Sequence, residues 1–199
     1  MTLSTPPSSS TARPADRGRA FGRHELIAYV VVLALWLLTA ASAYAFELYK
    51  TFQTPEAFLA EVFDGSAPAP KTLALGQAEQ SKIAAVFGRA FPQSRVRYWQ
   101  QGTRTAWIFD DIGKEGYVPT TCGFVINNGQ IEHLRVLIYR ESRGEQVGEA
   151  SFLNQIRGAQ ASGNGLNKSV DNISGATLSV KMMERMARTA IELDSLLKE

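Results

Sequence analysis

The chain has almost nothing with which to bind a transition metal or to form a disulfide. Cys122 is the only cysteine among 199 residues, and the two histidines are His24 and His133. One cysteine cannot form an internal disulfide, and these residues do not have the spacing of zinc, haem or iron–sulfur ligands. The fold must therefore be stabilised by its own hydrophobic core, which a chain of this size can supply.

Several familiar catalytic patterns are also missing. The sequence has no phosphate-binding P-loop, no Ser/His/Asp set and no pair of carboxylates in a predicted cleft. The net charge is only +2, and residues 1–25, with four arginines and two acids, account for all of it. There is no basic patch interleaved with aromatic residues, so the sequence predicts no nucleic-acid partner.

The longest stretch without charge is residues 26–46, which hold 21 consecutive uncharged residues. As a helix with about 1.5 Å rise per residue they would extend roughly 30 Å, the thickness of a bilayer core. The arginines before this run stay in the cytoplasm under the positive-inside rule. The sequence thus predicts a disordered cytoplasmic tail over 1–25, a single-pass anchor in the inner membrane over 26–46, and a periplasmic or otherwise extracytoplasmic remainder.

A cleaved signal peptide is the alternative for the same segment. Ala43-Tyr44-Ala45 has the small-x-small form of a signal-peptidase site. The apolar run is longer than the usual h-region of about 7–15 residues, which favours an uncleaved anchor. Both alternatives export the rest of the chain.

After residue 46 the pattern alternates between helices and strands. Residues 47–70 are expected to hold a short membrane-proximal helix capped by Thr54 and a linker, and residues 71–199 to form one domain. The predicted class is α+β, a small antiparallel sheet with helices packed on it. Periodicity and turn residues predict helices at 77–87, 149–156 and 178–197, strands at 95–101, 105–110, 123–127 and 130–139, and a loop at 159–167.

The stretch that runs from Asp171 to Thr177 lies directly before the last predicted helix. A helix N-terminus offers unpaired backbone N–H groups and the positive end of the helix dipole, which both favour an anion. A phosphate on the Thr177 hydroxyl would lie in this field, and Gly175 and Ala176 would let a bulky group approach the backbone. The alternative is that Ser174 or Thr177 is simply the helix N-cap, and these arguments alone do not choose between the two.

With the two residues that follow, the stretch has the form D-x-x-S-G-A-T-L-S. It closely resembles the flavinylation motif of the FMN-binding domain family, shared by the C subunit of sodium-pumping NADH:quinone oxidoreductase and the G subunit of the Rnf electron-transport complex. These subunits also carry an acid and a glycine after a tight strand pair, and Glu141 and Gly144 align with them. Ser142 and Arg143 depart from the family's threonine and proline. The resemblance covers about residues 116–181.

The resemblance implies a covalent cofactor. A flavin transferase that uses FAD and Mg²⁺ would attach FMN to Thr177 through a phosphoester and release AMP. Glu141 would contact the isoalloxazine, unless it is an ordinary solvated charge. The recognition sequence of the transferase, and part of the flavin pocket, would be Asp171, Ser174, Gly175 and Ala176.

The function implied by the resemblance is electron transfer. A flavin accepts two electrons and releases them singly. The chain would be a membrane-tethered flavoprotein that relays electrons from or to membrane redox partner subunits. One alternative is a structural or assembly module of a membrane redox complex without catalytic flavin, and another is a self-contained reductase.

Tyr117 and Phe124 would lie against the flavin or, as is commoner for aromatic residues in strands, in the core.

Overall fold

The computed structural model describes residues 22–24, 26–33, 49–113 and 118–198. The chain divides into two compact units, residues 1–46 and residues 47–199. In the first unit residues 26–33 are helical. Among the described residues no helix is long and apolar enough to cross a bilayer. Residues 34–46 of the predicted anchor, and residues 1–21 and 25 of the predicted tail, lie outside the described residues.

The second unit is built on one six-stranded antiparallel sheet, and this confirms the predicted α+β class. Along the sheet the strands follow the order β1-β6-β5-β4-β3-β2. A separate two-stranded hairpin is formed by β7 and β8. The strands are β1 (Lys50–Thr51), β2 (Lys71–Ala74), β3 (Arg95–Gln101), β4 (Arg104–Asp111), β5 (Thr120–Asn127), β6 (Gln130–Tyr139), β7 (Ala161–Ser162) and β8 (Gly165–Leu166).

The helices of this unit cover both faces of the sheet. One large hydrophobic cluster lies between one face and the apolar sides of α2, α3 and α4, and a smaller cluster lies between the other face and α1. The longest helix, α4, packs against α2 and against strands β4, β5 and β6. The helices are α1 (Pro55–Val62), α2 (Gln77–Phe87), α3 (Ala150–Ile156) and α4 (Thr177–Ser195), with a 3-10 turn at Glu145–Gly148.

The close packing of α1 depends on a glycine in the sheet. Phe58 is fully buried in the smaller cluster. Its ring lies over Gly123, where an added Cβ would be 2.6 Å from Phe58 Cε1. Any side chain at this position would therefore push α1 off the sheet. The helix predicted here, with Thr54 accepting a hydrogen bond from the Ala57 N–H at 3.2 Å, is part of the domain's packing.

The central hairpin, formed by β5 and β6, has the turn that the sequence predicts. Asn127 pairs with Gln130, and Asn128 and Gly129 between them have φ of 51° and 76°. These positive angles suit the tight turns that continue the twist of the strands, and Asn and Gly adopt them most readily. The predicted turn and the antiparallel pairing of its two strands are confirmed.

Some short elements differ from the prediction. The segment 159–167 was expected to be a loop, but it contains the β7–β8 hairpin, and Gln160 bridges to Gln130. The edge strands β1 and β2 were not predicted. They have two and four residues, too few to show an alternating pattern.

The sheet register brings several segments to one end of the domain. Thr121 pairs with Ile138 and with Asp110, and Lys50 pairs with Tyr139. The end of β6, the start of β5 and the end of β4 are therefore neighbours. The loop after β6 leaves the sheet here, opposite the first turn of α4.

Candidate functional site

The first turn of α4 has no side-chain cap. Its N-cap residue is Ala176, which has no side-chain acceptor, and Thr177 is the first helical residue. The interpretation of Ser174 or Thr177 as the N-cap is therefore wrong. The chain makes a turn from Ile173 to Ala176, closed by a 2.9 Å backbone hydrogen bond, and this turn places Ser174 too early to cap the helix. The N–H groups of the first turn remain available to an anion.

The turn before the helix needs a glycine for its backbone. Gly175 has a φ of 79°, which side chains of L-residues rarely adopt. An added Cβ at this position would meet nothing within 4 Å. The requirement is therefore conformational, and the space beside Gly175 is open to a ligand.

The Thr177 hydroxyl is exposed but held in place. Its Oγ1 accepts a hydrogen bond of 3.0 Å from the side-chain amide of Asn172. The hydroxyl proton is left free to point away from Asn172. A reacting oxygen at this position is thus both accessible and oriented.

The hydroxyl lies on the wall of an open cleft with two compartments. The first has a volume of about 340 Å³ and lies between the loop after β6 and the start of α4. It is lined by Glu141, Ser142, Arg143, Gly175, Ala176, Thr177, Leu178 and Ser179. The second, of about 310 Å³, shares Ser142, Arg143, Gly175 and Ala176 and adds Gly144, Glu145, Gln146 and Ser174.

The acid in the cleft is fixed by its neighbours. Glu141 Oε1 accepts a hydrogen bond of 2.7 Å from the Gly113 N–H, and Oε2 lies 3.4 Å from Ser179 Oγ. A solvated surface charge would not be held in this way. The carboxylate is therefore a built part of the cleft wall, where it faces the space that a ligand would occupy.

Ser179 connects this acid to a buried tyrosine. Its side chain is almost fully buried, and its Oγ lies 3.1 Å from the Tyr139 hydroxyl. Tyr139 in turn donates to the Arg143 carbonyl. Burial raises the pKa of Tyr139 to about 12, although the bond to Ser179 opposes the shift. The phenol stays protonated at physiological pH, so it can donate to the loop.

A second glycine lets the loop after β6 approach α4. Gly144 has a φ of 93°. An added Cβ would lie 2.8 Å from the Tyr139 hydroxyl and would also collide with Ser179 Oγ. The two hydroxyls thus occupy the space that a side chain at position 144 would need. This contact brings the loop after β6 close to the start of α4.

A buried ion pair stabilises the end of β4, which leads to the cleft. The Asp111 carboxylate is fully buried and accepts a 2.8 Å hydrogen bond from Arg185 Nε, with a second ion pair to Arg89. Burial raises the pKa of Asp111, against the opposing effects of Arg185 and Arg89. Arg185 also donates to the Ile112 carbonyl at 3.0 Å. Together these bonds hold the strand end that leads to Gly113.

The structure brings most of the predicted site residues together. Thr177, Ala176, Gly175 and Glu141 line the first compartment and Ser174 the second. Asp171 lines neither; its side chain is exposed and its N–H donates to Gln155 Oε1 at 2.8 Å.

The two aromatic candidates do not join them. Phe124 is fully buried in the large cluster, as the core alternative has it. Tyr117 lies outside the described residues.

Three residues of the site were missed as candidates. Asn172 and Ser179 belong to the quoted motif, but a motif does not say which side chain touches which. Tyr139 is an ordinary strand residue in the sequence, and only the fold places it beneath the cleft. In the described part of the chain no group of His, Cys, Asp and Glu side chains could hold a metal ion.

The cleft fits a ligand that has a phosphate at one end and a flat apolar body. The uncapped first turn of α4 suits the phosphate. Leu178, which lines the cleft, leaves 49% of its surface exposed, and a ring system could cover it. The fold and the cleft define a small α+β domain that can hold a phosphate-bearing ligand at a helix N-terminus.

Comparison with known protein families finds a match for this region. Residues 113–192 match the FMN-binding domain family. The matched range contains β5, β6, the cleft and most of α4. No curated protein and no solved structure matches the chain. The match supports FMN as the cofactor and a flavoprotein as the class of protein.

Proposed function

We propose that the chain is a membrane-tethered, extracytoplasmic flavoprotein that carries FMN in phosphoester linkage to Thr177 and relays electrons in a membrane-associated redox chain. The observation that carries the proposal is the position of the Thr177 hydroxyl. It is exposed, held by Asn172, and placed at an uncapped helix N-terminus on the wall of a cleft.

The attachment is a transfer from FAD that a flavin transferase catalyses. The Thr177 oxygen forms a bond to the phosphorus on the FMN side of FAD. The pyrophosphate P–O bond breaks, AMP leaves, and the hydroxyl proton is lost to the transferase. The product carries a phosphate diester next to the N–H groups of the first turn of α4, where the helix dipole stabilises negative charge.

The open cleft explains why a covalent bond is useful. Gly175, Thr177 and Leu178 are exposed, so the cleft wall offers limited contact area. A ligand held there by contacts alone would bind weakly and would be lost by dilution outside the cytoplasm. A phosphoester makes the occupancy independent of the free flavin concentration. When bound, the flavin accepts two electrons and releases them one at a time.

The membrane tether follows from the uncharged run over residues 26–46 and the arginines before it. A tethered domain would meet its redox partners at the membrane, where partner subunits deliver or remove electrons. Extraction of cell membranes at alkaline pH tests the tether. An integral anchor keeps the chain in the membrane pellet, whereas a cleaved signal peptide releases it.

The covalent attachment is tested by comparing the wild-type chain with Thr177→Ala and Thr177→Ser in native membranes. Each chain is expressed with and without an active flavin transferase, and flavin fluorescence is read from a denaturing gel. Wild type is expected to carry a fluorescent band only with the transferase, and Thr177→Ala to carry none. Thr177→Ser keeps the hydroxyl and should retain part of the signal.

The same membranes separate a carrier from a scaffold. If the chain is an electron carrier, membranes with Thr177→Ala lose donor-dependent electron flow although the partner subunits are still assembled. If Thr177→Ala supports normal electron flow in membranes, the chain acts as a structural or assembly module, and the electron-relay proposal is wrong.

A further inference from the structure

The second face of the sheet is only partly covered. Helix α1 packs on β4, β5 and β6, while the outer face of β3 stays open beside it. Between α1 and β3 lies a groove of about 600 Å³, and its lining shares no residue with the cleft at Thr177. It is lined by Pro55, Glu56, Leu59, Gln93, Arg95, Arg97, Trp99 and Ile108.

The floor of this groove is apolar. Trp99 and Ile108 are partly buried and pack against the smaller hydrophobic cluster beneath α1. Leu59 continues the floor from the helix side. A floor of this kind is recessed, so it can be filled by side chains that project into it but not by a flat surface.

The rim of the groove carries two exposed arginines, Arg95 and Arg97. Arg95 and Arg97 alternate with the buried Val96, so both point outward on the α1 side of the sheet, and both are exposed. In the part of the chain that the structure describes, neither guanidinium has an ion-pair or hydrogen-bond partner. The groove holds one acid, Glu56, on the opposite rim.

Several other arginines of the domain have acidic partners. Arg104 pairs with Glu132, and Arg135 pairs with Glu61 at 3.2 Å. Unpaired arginines beside a tryptophan are typical of interaction surfaces, where Arg and Trp are enriched. Arg95 and Arg97 are therefore available to pair with acidic groups from outside the domain.

We propose that this groove docks an acidic amphipathic helix of a partner protein. The apolar side of that helix fills the space over Trp99, Ile108 and Leu59, and its carboxylates pair with Arg95 and Arg97. Helices pack on neighbouring helices at about 8–10 Å, and α1 shows that a helix fits this face of the sheet. The docking mode is that of an amphipathic helix laid in a groove.

The docked helix would lie near the flavin end of the domain. By register, Arg95 lies at the same end of the sheet as Tyr139, because β3, β4, β5 and β6 are consecutive antiparallel neighbours. The groove and the cleft open on opposite faces of that end. The docking site is independent of the flavin, so its test does not depend on flavinylation.

The test uses the full-length chain in nanodiscs of neutral phosphatidylcholine. Two synthetic helical peptides of equal length and identical leucine face are added, one with glutamates and one with lysines on the polar face. Binding is read from the fluorescence of Trp99, with Trp99→Phe as the reference that removes its signal. The acidic peptide is expected to bind and the basic peptide not to bind. High salt should weaken the binding.

Charge reversal on the rim identifies the contact. Arg97→Glu is expected to lower the affinity for the acidic peptide by at least about tenfold, since it replaces an attraction by a repulsion. Lys181→Glu is the matched control, because Lys181 is an exposed cation on α4, on the other face of the sheet. This control should leave the affinity unchanged. Thermal unfolding of both variants checks that they are folded.

Three results would overturn the proposal. The first is equal binding of the acidic and basic peptides, and the second is acidic-peptide binding that Arg97→Glu does not weaken. The third is a shift of Trp99 fluorescence in nanodiscs of anionic phosphatidylglycerol without any peptide, abolished by Arg97→Glu. This third result would assign the groove to the lipid surface.

Discussion

The side-chain amide of Asn172 donates a hydrogen bond to the Thr177 hydroxyl over a distance of 3.0 Å. Thr177 is the first residue of α4, and Asn172 lies five residues earlier, beyond the turn at Gly175. The turn thus folds the motif back on itself. Its effect is to fix the rotamer of the hydroxyl that accepts the flavin in the proposed reaction.

Asn172→Ala should therefore slow flavin transfer without unfolding the domain. Loss of the donor frees the Thr177 side chain to rotate, so fewer encounters have the oxygen in line with the phosphorus. We expect a rate about three- to tenfold lower, measured as initial FMN incorporation at saturating transferase.

The matched control is Asn154→Ala, an exposed asparagine on α3. It should react at the wild-type rate. Equal rates for both variants would show that Asn172 does not position the hydroxyl.

Gly144→Ala should destabilise the domain more than another glycine substitution with the same backbone strain. The new Cβ would strain a φ of 93° and also collide with Tyr139 and Ser179. Gly65 has a φ of 95°, and an added Cβ there meets nothing within 4 Å. We expect a loss of about 1 kcal/mol for Gly65→Ala from strain alone, and of about 3 kcal/mol for Gly144→Ala.

Urea unfolding of the two glycine variants measures this difference directly. Because both positions need the left-handed backbone, the difference isolates the contact of the loop with α4. Similar losses for the two variants would mean that the loop can move away from α4, and that its close approach does not depend on Gly144.

Ser179→Ala should weaken the connection between the acid in the cleft and the buried tyrosine. The variant leaves the Tyr139 hydroxyl without its 3.1 Å partner and the Glu141 carboxylate without its 3.4 Å contact. Removing one hydroxyl from a buried network costs about 1–2 kcal/mol of unfolding free energy. Ser151→Ala, at an exposed position on α3, is the control and should cost much less. A stability equal to that of the control would argue against the network.

Stability should fall with rising pH as Tyr139 is forced to ionise. Burial raises the pKa of Tyr139 from its ordinary value of 10 to about 12. Between these values the unfolded chain releases the phenol proton while the folded chain keeps it, so each step in pH favours the unfolded state. The free energy of unfolding should therefore decrease between about pH 10 and 12. Tyr139→Phe should show a smaller decrease over this range, and an identical slope in both proteins would contradict the account.

How far the sequence predicts the fold depends on the length of the element. Helix α2 was predicted at its observed bounds, and the hairpin turn at Asn128-Gly129 was predicted from two residues that tolerate positive φ. Both signals are local and strong. The edge strand β1 has two residues and is visible only through its pairing with Tyr139 and Ile138. Contacts of this kind are decided by the tertiary fold.

The site also contains features that the sequence predicts locally and contacts that only the tertiary fold decides. The sequence predicts a helix N-terminus at Thr177 and a motif around it, since both are contiguous in the chain. It does not predict that Ser179 meets Tyr139, forty residues away, because that contact depends on the packing of α4 on the sheet. It also gives no sign that the N-cap is Ala176 and that the first turn stays uncapped, because capping propensity favours the hydroxyl residues beside it.

The central claim, FMN in phosphoester linkage to Thr177, is tested most directly by intact mass. The full-length chain is expressed with and without a flavin transferase, and its mass and peptides are compared with those of Thr177→Ala. The account predicts a gain of one FMN minus water only with the transferase, confined to the peptide that contains Thr177 and absent from the variant. No gain with an active transferase and an exported chain, or a gain on another residue, would contradict it.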